Sequence, residues 1–290
     1  MAEKLTTPEQ RERDFNKMLV AEYLKYGSVD EVYRKHDYNL PISYPGYQRL
    51  LDRWGIVKSA GPNSTLSEAI TFMTMLSDYK MPLETVYRKL PPSFKTSMTT
   101  MHRILHNIKE GATRRFGTAV VVTREGEDEK MLVGEDISTP RLEYGKPYGS
   151  VSLPMTFSKM SETPKESVKR VLQQEVFTKE TIENVFPENI IPNDIKPFMY
   201  FDIADINVAV FHLVLPKKTL VKSFSSFKLH DYRFADISEF MGSERKAHVR
   251  SGMRDIAEGY KKFIEGSTVE AKVSNLNVRL SQLAPEYLHY

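Results

Sequence analysis

The chain reads as two architectures in series, an all-α region over residues 1–112 built as tandem helix-turn-helix units and an α/β domain after it. Three observations predict this. Residues 10–110 place apolar side chains at spacings of three and four, as in Phe15, Met18, Leu19 and Tyr23 and again in Ile70, Met73 and Leu76, with little strand-like alternation. The same segment repeats itself at a constant offset. Beyond a charged hinge at residues 109–115, containing Gly111, the pattern changes to short β-rich runs separated by helical stripes.

The repeat defines two units, residues 1–60 and 61–112. Val32-Tyr33-Arg34-Lys35 returns as Val86-Tyr87-Arg88-Lys89, Arg49 matches Arg103 and Leu51 matches Leu105, all at an offset of 54. One offset held over some twenty positions points to duplication of a structural unit. In the first unit, residues 11–26 form a long helix ended by Gly27, and Ser28 caps a short helix with Glu31 at the capping-box position. A turn through residues 39–45 leads to a third helix over 46–54, ended by Gly55. In the second unit, residues 67–79 form the long helix, Pro82 opens the short one, Pro91-Pro92 break the chain and 97–109 form the third helix. Helix, short helix, turn, helix is the helix-turn-helix plan.

The third helices divide by face. Leu50, Leu51 and Trp54 point inward in the first, leaving Gln48, Arg49 and Arg53 outward. Met98, Met101, Leu105 and Ile108 point inward in the second, leaving Thr99, Thr100, His102, Arg103 and His106 outward. Such side chains reach base edges and phosphates in a major groove, and Tyr44 and Tyr47 are candidates for the same contacts. Charge agrees: residues 1–115 carry 18 Lys and Arg against 13 Asp and Glu, whereas the remainder carries 23 against 25. Double-stranded DNA is therefore the expected partner. A helical protein-docking module with a solvated basic face fits the same residues.

The α/β domain is expected over residues 113–266. Runs at 116–123, 130–133 and 149–153 are strands, and 197–203 and 207–215 form a hairpin around Ala204-Asp205 with Phe198, Tyr200 and Phe211 facing the core. Residues 164–176 carry a helical stripe of Val168, Val171, Leu172 and Val176, and 243–264 form a last helix. Residues 267–290 form a tail without a motif. Cysteine is absent, which excludes a disulfide framework and thiolate metal sites. The longest apolar stretch, near 206–215, falls short of the roughly 20 residues that span a bilayer. With a polar, charged start these features point to a cytoplasmic protein without membrane contact.

The residues around 153–177 resemble the box of the Nudix superfamily. Leu153-Pro154 stand ahead of the position of two glycines, Glu162 falls on the first Glu, Arg170 follows at the family's spacing, Leu172 fills the apolar position and Glu175 matches the last Glu of a pair. His230 to Phe240 is similar to the family's late strand and acidic turn. The resemblance covers residues 115–265 and implies an α/β/α sandwich around a mixed sheet. The departures bear on chemistry: Met155 and Thr156 replace the glycines, Val171 and Gln174 replace two carboxylates, and Phe177 replaces the closing glycine.

Family enzymes cleave nucleoside diphosphate derivatives with Mg²⁺, a hard cation held by carboxylates. Positions 171, 174 and 175 are spaced to share one side of a helix, and here only Glu175 offers a carboxylate, a weak metal ligand on its own. No cofactor is therefore expected. The resemblance implies a pseudoenzyme that binds a nucleotide or sugar-phosphate, with Glu162 and Arg170 kept as a structural ion pair. Arg141, Tyr144, Lys146 and Tyr148 are the candidate ligand-binding residues. A transcriptional regulator is the reading that joins the two halves. A diverged hydrolase using Glu175, Glu162 and Mg²⁺, with Asp231 or Glu239 approaching from a loop, is one alternative, and a docking protein is another.

Overall fold

A computed structural model describes residues 7–58, 70, 73, 82–88, 96–111, 115–140, 145–217, 223–241 and 249–282. The chain opens with α1 (Pro8–Tyr26), α2 (Val29–Lys35) and α3 (Tyr44–Arg53). Each starts at a hydroxyl cap: Thr7, Ser28 and Ser43 accept from the amides of Gln10, Glu31 and Gly46. These bonds satisfy donors that a first helical turn leaves open. Leu19, Val20, Tyr23, Leu24, Val32, Tyr47, Leu50 and Leu51 close a core belonging to this unit. Tyr47, considered above for DNA contact, is fully buried there, and its hydroxyl donates to the Leu19 carbonyl at 2.5 Å.

The repeat persists in three dimensions. Helices α4 (Leu83–Tyr87) and α5 (Met98–Lys109) begin 54 residues after α2 and α3. Ser97 caps α5 as Ser43 caps α3, each accepting an amide three residues on at 3.2 Å. Buried positions correspond as well: Tyr47 with Met101, Leu50 with Ile104, Leu51 with Leu105. Arg49 and Arg103 are both exposed. The helix expected over 67–79 lies outside the described residues except for Ile70 and Met73, which are helical and fully buried.

The two copies use their apolar faces differently. The first closes its own core, while the second delivers Ile70, Met73, Met101, Ile104, Leu105 and Ile108 into the core of the α/β domain. That domain contains β1 (Arg115–Arg124), β2 (Lys130–Asp136), β3 (Ser150–Ser152), β4 (Met155–Ser158), α6 (Pro164–Glu175), α7 (Thr178–Ile182), β5 (Pro197–Ile203), β6 (Ile206–Leu215), β7 (Leu229–Asp236), α8 (Met253–Ile264), β8 (Lys272–Val273) and α9 (Asn275–Ser281). The sheets have the orders β4-β1-β6-β5-β8 and β3-β2-β7. The first is mixed, with β1 parallel to β6 and antiparallel to β4.

Helices cover both faces of the mixed sheet, so β1 reads as a continuous apolar run rather than an alternation. Val120 and Val122 pack with Phe211, Leu213 and the α6 stripe of Val168, Val171 and Leu172. Ala119 and Val121 pack with Val208, Val210, α5 and the α8 residues Ile256, Ala257 and Tyr260. The hairpin forms where expected, with Ala204 in the left-handed region at φ 51. Of its aromatic residues Phe211 is buried and Phe198 packs against Tyr260 and Phe263, but Tyr200 is 47% exposed, because alternation along β5 turns it to the open face.

Three further elements differ from expectation. Residues 155–158, where the family resemblance places a glycine pair, form β4. The last long helix starts at Met253 behind Gly252, whose φ of 89 and position against the Phe201 ring leave no room for a Cβ. Residues 272–281, within the expected tail, supply β8 beside β5 and α9, whose Leu276 and Leu280 are buried in the shared core. No helix of the described residues is long and apolar enough to cross a membrane.

The shared core makes a concrete expectation. Leu105→Ala should lower stability by about 2–5 kcal/mol, the usual cost of emptying a fully buried leucine site. Urea denaturation followed by far-ultraviolet circular dichroism measures it, and an unshifted midpoint would contradict docking of the second unit into that core.

Candidate functional site

Helix α6 organises the site. Thr163 and Glu166 form a reciprocal capping box at its start, with Pro164 in the first turn. Arg170 lies one turn on and is fully buried. Its Nε and Nη2 donate to Glu162 at 3.1 and 2.8 Å, Nη2 also donates to Ser158 Oγ at 2.9 Å, and Nη1 donates to Thr156 Oγ1. Glu162 accepts in addition from the Lys159 amide and Ser167 Oγ. Each guanidinium nitrogen and both Glu162 oxygens are used to bind the 156–162 segment to the helix.

Val171 is fully buried in the apolar core beneath the sheet, on the side of α6 that spacings of three and four also give to the buried Gln174 and Glu175. Gln173 points toward the first helical unit, where Oε1 accepts from the Val57 amide at 3.0 Å and Nε2 donates to the Gly55 carbonyl at 2.9 Å. Nearby, the Trp54 indole donates to the Thr181 carbonyl at 3.0 Å and Lys17 pairs with Glu183 at 2.6 Å.

Gln174 and Glu175 point into a cluster of charged side chains. Lys228 Nζ lies 3.2 Å from Gln174 Oε1 and 3.4 Å from Glu175 Oε1. The other Glu175 oxygen accepts from the Met155 amide at 2.7 Å. Asp136 at the end of β2 pairs with Lys146 at 3.2 Å and lies 3.8 Å from Arg250, whose Nη1 is 3.5 Å from Ser152 Oγ. Burial holds the Glu175 carboxyl above the usual carboxylate range, with Asp136 adding to the rise while Lys228 and Arg250 oppose it. Burial likewise lowers the Lys146 ammonium, against the pull of Asp136.

The donor set does not fit Mg²⁺. Val171 is core, Gln174 is neutral, and both Glu175 oxygens already accept from protein donors. Lys146, Lys228 and Arg250 occupy the surroundings, and a divalent cation would be repelled by them. Asp231 and Glu239 do not approach either: Asp231 pairs with His230 at 2.6 Å, and Glu239 pairs with Arg233 at 2.8 Å on the surface. Glu135, His230 and Asp231 also come together, as an exposed group beside β7.

Of the four expected ligand residues, the structure describes Lys146 and Tyr148. Lys146 is buried in the cluster rather than lining a loop, because its ammonium is drawn to Asp136. Tyr148 is 65% exposed. Arg141 and Tyr144 lie outside the described residues. Lys228, Arg250 and Asp136 were not singled out from the sequence. They arrive from three distant segments, and no local spacing links them.

On the helical units, Arg49, Arg53, Thr99, Arg103 and His106 are exposed. Gln48 is half-buried and accepts from Lys58 at 3.0 Å. Thr100 is half-buried, its hydroxyl 2.9 Å from that of Ser97. His102, expected to face out, is only 12% exposed, because its ring turns toward Glu84 of α4 with Nε2 at 3.3 Å.

Two outcomes test the site. Arg170→Met should cost about 3–5 kcal/mol, since it leaves Glu162 buried and unpaired, and a denaturation midpoint equal to wild type would remove its structural role. Because the folded Glu175 pKa is raised, the folded state holds a proton that the unfolded chain has released over the interval between the two values. Stability should fall as pH rises through that interval, and Glu175→Gln should abolish that part of the fall. Urea titrations from the ordinary carboxylate range to neutrality read this out, and parallel profiles would refute it.

No protein-family model matches the chain, and no curated protein matches it. Among solved structures it is similar to a NUDIX hydrolase from Nitrosomonas europaea at 14% identity, covering 56% of this chain and 78% of that one with a TM-score of 0.37. It is also similar to the MutT protein of Methanosarcina mazei Go1 at 16% identity, covering 53% and 96% with a TM-score of 0.37. The NUDIX domain of Shewanella oneidensis NrtR, complexed with ADP ribose, matches at 10% identity, covering 63% and 99% with a TM-score of 0.36.

Proposed function

We propose that this chain is a DNA-binding transcriptional regulator in which the repeated helical units read duplex DNA as helix-turn-helix modules and a non-hydrolysing Nudix-type domain senses a nucleotide or sugar-phosphate. The observation that carries this reading is the position of Gln173. It is held by two hydrogen bonds to the first helical unit, and the next two residues of the same helix belong to the charged cluster. A ligand that favours one arrangement of the Gln174–Glu175 end would bias the other end through a single rigid element. The exposed Arg49, Arg53 and Arg103 on matching faces of the two third helices support the DNA-binding half. The committed oxygens of Glu175 and the cations around it favour binding over metal-assisted hydrolysis.

A gel-shift titration of the full chain on duplex DNA over a salt series tests the reading. Affinity should fall steeply with salt, and Arg103→Gln should reduce the slope of log K against log salt by about one. Gln173→Ala should retain duplex binding but lose any change in affinity produced by a nucleotide ligand. Absence of binding to any duplex at low salt removes the regulator.

A further inference from the structure

The charged cluster has two properties that Mg²⁺ chemistry does not explain. The first is its charge. Lys146, Lys228 and Arg250 face Asp136 and Glu175, so cations exceed carboxylates by one even when all are ionised. The second is its unfilled hydrogen bonds. Among the described residues, Gln174 Nε2, Ser150 Oγ and Arg250 Nε are buried and have no partner. Gln174 is 2% exposed and Ser150 is fully buried. A buried polar atom without a partner is costly, so each calls for an explanation.

All three orphans can donate. The arginine Nε and the amide nitrogen only donate, and a serine hydroxyl can. The orientation of the Gln174 amide follows from its neighbour: Oε1 faces the Lys228 ammonium, and the reversed amide would set N–H groups against a cation. The orphans also share a place. Ser150 lies opposite Asp136 in the β2–β3 pairing, and Ser152, two residues on along β3, shares its face and meets Arg250. Glu175, which meets Lys228 at the end of α6, interacts electrostatically with Asp136, Arg250 and Lys146. The basic side chains are not sealed, with exposures of 11% for Lys146, 16% for Arg250 and 25% for Lys228.

Unfilled donors around surplus positive charge call for an acceptor-only, negatively charged ligand. We infer that this cluster is a metal-independent oxyanion site that takes the phosphate or diphosphate group of a ligand, with Lys228, Arg250 and Lys146 supplying the charge that a divalent cation supplies in related chemistry. Gln174 Nε2 and Ser150 Oγ orient the phosphoryl oxygens. This rests on the sensor reading above and sharpens it: the ligand is recognised through its phosphate, without Mg²⁺.

Thermal unfolding of the full chain in EDTA, with inorganic pyrophosphate, ADP, or adenosine added, tests the site. Pyrophosphate and ADP should both raise Tm, by about 5 °C at a hundred-fold excess over Kd, and adenosine should not. A rise with ADP but not pyrophosphate would place recognition on the nucleoside and overturn the proposal. So would a rise that requires Mg²⁺, or no rise at all. Lys228→Gln should weaken pyrophosphate binding at least ten-fold, while Arg254→Gln on the outer face of α8 should not. If Lys228→Gln fails to fold, sulfate competition in the wild-type chain replaces it: sulfate must displace pyrophosphate, as followed by ³¹P line width, and failure to compete overturns the site. Loss of the pyrophosphate effect with duplex binding intact would remove this inference alone. A pyrophosphate effect without duplex binding would remove the regulator alone.

Discussion

The guanidinium of Arg170 is the constraint on which the α/β domain depends. It is fully buried, and its fork ties Glu162, Ser158 and Thr156 to the middle of α6. A buried cation is tolerated only when its donors are met and its charge is balanced, and here one side chain enforces both for a whole segment. The consequence reaches the site. Holding Thr156 and Ser158 against the helix lays β4 along β1, which sets the Met155 amide against Glu175. The carboxylate that a metal would need is thereby committed to the backbone.

Helix geometry accounts for how much is concentrated at the end of α6. Successive residues step about 100° around the axis, so neighbours face different surroundings. Val171 and Leu172 enter the apolar core, Gln173 meets Gly55 and Val57, and Gln174 and Glu175 meet Lys228. Positions 171 and 174, neither of which carries a carboxylate, therefore play two different physical roles. At 171 a valine completes the packing against β1 and β6. At 174 an amide makes a polar contact with Lys228 and brings no charge.

The duplicated helices show how one sequence pattern can serve two packing roles. Cap, core and exposed arginine correspond at an offset of 54, yet one copy closes on itself and the other completes the core beneath the sheet. The first unit is instead joined to the domain by polar contacts at Gln173, Trp54 and Lys17, with Ile182 of α7 packed against its core. Polar joints of this kind exchange with water at modest net cost, whereas a shared apolar core does not.

Much of this was legible in the sequence, because the signals were local. Period and repeat marked the helices, β-rich runs marked β1, β2 and the β5–β6 hairpin, and the family resemblance implied the Glu162–Arg170 ion pair that the tertiary structure contains. The sequence also determined that positions 171 and 174 carry no carboxylate. What only the tertiary structure decided is non-local. His102 and Tyr47 turn inward because neighbouring helices offer them partners. Residues 272–281 join the fold because β5 has an open edge and α5 an uncovered face. The character of the site depends on Lys146, Lys228 and Arg250 meeting Asp136 and Glu175, which lie far apart along the chain. Residue type reveals that each carries a charge, but only the fold decides which charges share a low-dielectric space.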